Sequence, residues 1–93
     1  MGFTKDTAAN SAKQDLAKRS GISEADIKIQ KIVDKDFPDA SLGAPVNGEM
    51  SAQMISSGWQ IDLEAGGKDY EYRADKYQLR LYHFKGHNYL IEG

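Results

Sequence analysis

Trp59-Gln60-Ile61-Asp62-Leu63-Glu64-Ala65-Gly66-Gly67-Lys68-Asp69-Tyr70-Glu71-Tyr72-Arg73-Ala74 decides the fold. Large apolar and polar side chains alternate strictly from Trp59 to Ala65, as in a strand with one wet face. Gly66-Gly67 supplies two residues free to take positive φ, the requirement of a tight two-residue hairpin, and the alternation resumes at Tyr70. Trp59, Ile61 and Leu63 should face a core.

Working outward, Asp75-Lys76-Tyr77 reads as a second short turn. It leads into Gln78-Leu79-Arg80-Leu81-Tyr82-His83-Phe84, with Leu79 and Leu81 inward and Arg80 outward. Strands over about 58–65, 69–75 and 78–84 therefore make a three-stranded meander. The tail His87-Asn88-Tyr89-Leu90-Ile91 is too short to assign by pattern. Upstream, Ile27, Ile29 and Val33 share one face of a strand over about 27–35, and Ile32 breaks the alternation as a bulge near Lys31 would.

The first segment has a different period. Ala8, Ala9, Ala12, Leu16 and Ala17 recur at three- and four-residue spacing, which predicts an amphipathic helix over about 4–20. Lys18 and Arg19 suit its C-terminal dipole, Gly21 can take the left-handed conformation, and Ile22 can fold back onto Leu16 or Ala17. A stripe made mostly of alanine buries little area, so this helix depends on tertiary contacts. The expected fold is α+β: an N-terminal helix packed on an antiparallel sheet of about four strands, in one domain over 1–93.

Between the first strand and the meander lies Pro38 to Ser57, about twenty residues without a sustained period. That is long for a connection in a small domain. It mixes Ser41, Asn47, Glu49, Ser51 and Gln53 with apolar Leu42, Val46, Met50, Met54 and Ile55. Long ordered loops on rigid scaffolds often carry function. The plainer reading is that its apolar residues cap an open edge of the core while the polar ones face water.

Composition narrows the function classes. The chain has 93 residues, 40% hydrophobic and 28% charged, which fits one folded domain rather than a disordered chain. Its net charge is −2 with the two signs interspersed, so no basic footprint for nucleic acid is present. Arg73, Lys76, Arg80 and Lys85 are offset by Glu64, Asp69, Glu71 and Asp75. No apolar run reaches the length of a membrane span, and the N-terminal residues lack a signal-peptide pattern; compartment is left open. With no cysteine, disulfides, thiolate metal sites and a cysteine nucleophile are excluded together.

Candidate chemistry is sparse. His83 and His87 flank Phe84-Lys85-Gly86, but a metal site needs a third ligand, and Asp69, Glu71 and Asp75 qualify by abundance alone. No Gly-x-Ser-x-Gly elbow occurs, and Ser56-Ser57-Gly58 reads as a turn. Asp62 and Glu64 share one outward strand face and read as solvated surface rather than as an acid/base pair. Tyr70, Tyr72, Tyr77, Tyr82, Trp59 and Phe84 fit cross-strand packing better than an exposed aromatic platform. No catalytic residue, cofactor or metal site is expected.

Phe37-Pro38-Asp39-Ala40-Ser41-Leu42-Gly43-Ala44-Pro45, then Gln53, Gly58-Trp59-Gln60-Ile61 and Tyr70-Glu71-Tyr72-Arg73, carry a family resemblance. This pattern resembles a family of small uncharacterised bacterial domains, cyanobacterial ones among them. There an aromatic-Pro-Asp-x-Ser-Leu-Gly-Cys-Pro loop precedes a Gly-Tyr/Trp strand and a Tyr-Glu-Tyr strand. Ala44 stands where those sequences often carry cysteine, which removes support for a thiol-based role. The resemblance implies the fold and no activity, although such relatives often look exported. The element order is also similar in shape to PepSY-like and cystatin-like domains, some of which bind or restrain peptidases; folds do not fix functions.

The function expected first is therefore a non-enzymatic protein-binding module, peptidase restraint included, that uses the 38–57 loop. Its candidate contact residues are Asp39, Ser41, Leu42, Asn47, Glu49, Gln53 and Trp59. One alternative is a small-molecule or metal-binding accessory domain with Trp59, Tyr70 and His83 lining a pocket. Another is a structural unit that self-associates through an edge strand.

Overall fold

The computed structural model describes residues 2–93. Helix α1 spans Lys5–Ser20, and five strands follow: β1 Lys28–Phe37, β2 Ser56–Ala65, β3 Lys68–Ala74, β4 Leu79–Phe84 and β5 His87–Glu92. All neighbours pair antiparallel in the order β1-β2-β3-β4-β5. The fold is α+β, with five strands rather than about four. The extra strand is the tail, whose pairing with β4 is interrupted by register shifts at both ends, so its side chains never show the period that marks a strand.

Thr4 caps α1: its hydroxyl accepts from the Thr7 N–H, and the Thr7 side chain accepts from the Thr4 N–H. Gly21, at φ 74°, ends the helix and returns its N–H to the Ala17 carbonyl. Ala8, Ala9, Ala12 and Leu16 are buried against Ile61, Leu63, Tyr72, Ala74, Leu79 and Leu81. Alanines let the helix backbone lie close to the sheet. The strand residues therefore supply most of the apolar area in this core.

One register detail corrects the expectation for β1. The bulge falls between Ile29 and Lys31, so every later residue changes face. Ile32 stands opposite Ile61 and packs on the core, while Val33 stands opposite Gln60 on the other face. Ile29, opposite Leu63, shares the face of Ile32, not that of Val33.

At the loop end of the sheet, Gly58 has no room for a side chain, because a Cβ there would overlap the Ala74 carbonyl oxygen. The residue thus allows β2 and β3 to close up where the 38–55 connection arrives.

Candidate functional site

The 38–55 connection lies over the sheet face that α1 leaves open. Asp39 organises its first turn: Oδ1 accepts from the Ser41 N–H at 3.0 Å, the Ser41 hydroxyl at 2.6 Å and the Gly43 N–H at 3.0 Å. These bonds, led by the Ser41 hydroxyl, hold the Asp39 pKa below its ordinary value. Leu42 (φ 59°) and Gly43 (φ 66°) then take left-handed backbone in succession. A branched residue such as Leu42 visits that region only when its surroundings impose it.

Two arginines impose it. Arg73 Nη1 donates to the Leu42 carbonyl at 2.9 Å, and Arg80 Nη1 to the Ala44 carbonyl at 3.1 Å. Arg80 also grips Glu49 with two bonds of 2.6 Å, the planar fork-to-carboxylate match that guanidinium makes best. That contact is the main reason the Glu49 carboxyl ionises more readily than usual. Gln78 donates to the Ala40 carbonyl at 2.7 Å, and Asn88 to the Pro45 carbonyl at 2.9 Å. Four loop carbonyls are therefore satisfied by side chains of β3, β4, β5 and the Asp75–Gln78 turn.

Beneath these bonds sits a second, small core. Phe37, Leu42 and Ala44 are fully buried but separate from the helix-side cluster. The Arg73 guanidinium lies 3.7 Å from the Tyr82 ring centroid and 5.5 Å from that of Phe37, so it is stacked against rings while it binds the loop. Arg80 is only 4% exposed, and its charge is matched by Glu49.

The loop has two unequal parts. Residues 38–46 are fastened along their length, whereas the outer part, 47–55, is tied back only at Glu49 and at the Ala52 carbonyl, which accepts from the Ala40 N–H at 3.0 Å. This outer part turns through Asn47-Gly48 and presents Met50, Ile55 and Met54 at 97%, 72% and 59% exposure. Of the residues read from sequence, Asp39, Ser41, Leu42 and Glu49 come together as the anchor, with Ser41 and Leu42 out of reach of any partner. Asn47 and Gln53 are exposed on the outer part. Trp59 is not brought to them: it faces the helix side, half-buried against the main core. Tyr70 and His83 meet in a groove at the other end of the sheet.

Sequence reading missed Arg73 and Arg80 as loop anchors and placed them among the meander's surface charges. A usable signal exists in hindsight: both occupy polar-face positions of strands next to a long loop whose backbone groups need partners.

Self-pairing through β1 meets charge on the outer edge of the sheet. The strand is ten residues long and carries Lys28, Lys31 and Lys35, the residue type that discourages edge-to-edge association. Among the described residues, no cluster of three or more His, Cys, Asp or Glu side chains is arranged to hold a metal ion. No described helix is long and apolar enough to cross a membrane.

The arrangement defines a class before any individual: a helix-backed antiparallel meander with an anchored loop on its second face. The chain belongs to the DUF8738 family, a domain of unknown function, whose model matches residues 9–82. No curated protein and no solved structure matches it.

Proposed function

We propose that the domain is a non-enzymatic protein-binding module, and that the outer part of the loop, residues 47–55, is its contact surface. One observation carries this reading: Met50, Met54 and Ile55 stand exposed together on a loop whose base is fixed by Arg73, Arg80 and Asp39. Three exposed apolar side chains within six residues of one loop are a denser apolar presentation than singly scattered ones, and exposed apolar patches mark contact surfaces. Methionine adapts to irregular partner surfaces, and a base that is already ordered reduces the entropy lost on binding. Peptidase restraint is one form such a module takes. The resemblance of Phe37–Pro45 to loops of bacterial domains, often exported in appearance, directs the partner search to bacterial surface and exported proteins.

The test is a triple variant, Met50→Ser/Met54→Ser/Ile55→Ser, used as bait beside the parent chain. A partner captured by the parent and lost on the variant, with the Trp59–Ala74 amide spectrum unchanged, is the expected result. Equal capture by both proteins overturns the reading. So does a low heteronuclear NOE through 39–46, because the fastened base would then be absent in solution.

A further inference from the structure

β2 runs from the loop end of the sheet to the Gly66-Gly67 turn, and the Lys85-Gly86 turn between β4 and β5 lies at that same far end. Between these turns and the last residues of α1 is an open groove of about 530 Å³, lined by Arg19, Lys68, Asp69, Tyr70, Phe84 and Lys85 among others. Its size falls within the range of small-molecule sites.

The groove's charge opposes that of the chain. Three fixed cations, Arg19, Lys68 and Lys85, face one carboxylate, Asp69, whereas the whole protein carries −2. Arg19 is committed to Asp15, bonded at 3.1 and 3.2 Å, and that contact raises its pKa. Lys68 and Lys85 form no ion pair among the described residues. The carbonyl end of α1 favours cations, so an anion's attraction has to come from these two ammonium groups.

The floor is aromatic. Tyr70 and Phe84 are 6.0 Å apart between centroids, with the Arg19 guanidinium 5.8 Å and the Lys85 ammonium 5.4 Å from the Phe84 centroid. Among the described residues, two of the three non-glycine residues with left-handed backbone, His83 and Lys85, both at φ 52°, stand on this groove. Lys85 begins the two-residue turn completed by Gly86, a place that Asn or Gly fills with less strain. His83 lies where the β4–β5 register shifts. A side chain makes left-handed backbone less favourable than glycine does, so the backbone here favours residues other than the ring and the ammonium it presents.

We infer that this groove binds a small molecule that joins an anionic group, carboxylate or phosphate monoester, to a flat aromatic ring. The ring lies against Tyr70 and Phe84, and the charge sits between Lys68 and Lys85. The site shares no residue with the outer loop, so it stands or falls apart from the protein-binding reading.

The test titrates the ¹⁵N-labelled chain with phenyl phosphate, phenylacetate, inorganic phosphate and benzyl alcohol at low ionic strength. Saturable amide shifts confined to residues 19–22, 66–70 and 83–86 are expected with one or both aromatic anions, and which binds tighter identifies the anionic group. Inorganic phosphate and benzyl alcohol should bind at least about tenfold more weakly, since each lacks half of the recognised chemistry. The double variant Lys68→Ala/Lys85→Ala should lose about tenfold in affinity, while Lys18→Ala, on the helix surface, should not. Linear shifts without saturation, shifts centred elsewhere, equal binding of inorganic phosphate, or full binding by the double variant would each overturn the site.

Discussion

The sheet is covered twice, and its two covers follow different physics. On one face α1 contributes a stripe of Ala8, Ala9, Ala12 and Leu16, and the contact is almost wholly apolar. Opposite it, an irregular chain is held by guanidinium, amide and carboxylate groups over a core reduced to Phe37, Leu42 and Ala44. A helix satisfies its own backbone and needs only a greasy side. An irregular loop brings unsatisfied carbonyls with it, so the sheet beneath must offer donors. Long-range side chain-to-carbonyl bonds are thus concentrated on the loop face.

The largest effect should come from damage to the helix side. Leu16→Ala removes the one large buried side chain of α1 and should cost about 3 kcal/mol, read from urea unfolding. On the loop side, Arg80→Ala strands the Ala44 carbonyl and a partly exposed Glu49. A loss of about 2 kcal/mol is expected, less than for a fully buried pair because Glu49 can regain water. Its signature should be regional: faster amide exchange over 39–49 with 59–65 still protected. If both substitutions loosened the whole chain equally, the two covers would not be separable.

Acid offers a gentler cut along the same line. Asp39 and Glu49 have folded pKa values below the ordinary 3.8 and 4.5. Their contribution is full above those values and is lost as pH falls through the lower folded ones. Amide protection in 39–49 should therefore weaken below about pH 4, before that of 59–65. A simultaneous loss would contradict this order.

The smallest expected change tests the polar link on the apolar side. The Tyr72 hydroxyl donates to Asp15 Oδ2 at 2.7 Å; burial first, and this bond second, raise its pKa and keep it a donor. Tyr72→Phe leaves Asp15 with Arg19 and should cost about 1 kcal/mol by urea unfolding. A cost as large as that of Leu16→Ala would mean that polar bonding dominates this face too.

The same contrast explains what the sequence made legible. Alternation from Trp59 to Ala74 and the alanine stripe before Gly21 are periodic because regular elements bury regular faces, so the helix side could be read in advance. Where a bulge resets the period, pattern reading fails locally: Val33 and Ile32 exchanged faces, and β5 went unassigned. The anchor was not legible for another reason. Its acceptors are the main-chain carbonyls of Ala40, Leu42, Ala44 and Pro45, identical in every residue, and their donors lie 31 to 43 positions away. Asp39, Ser41, Leu42 and Glu49 read in sequence as contacts for a partner, and in the structure they bond within the domain.

The strand order also sets a timetable. Three of the four pairings, β2–β3, β3–β4 and β4–β5, close across turns of two to four residues, whereas β1–β2 must close across residues 38–55. Chain entropy makes short closures first and the long one last. The meander should thus assemble before β1 docks, with Arg80 and Glu49 meeting after the rate-limiting step. Substitutions at that pair would then speed unfolding and leave the folding rate nearly unchanged, whereas changes in the β2–β3 hairpin would slow folding itself.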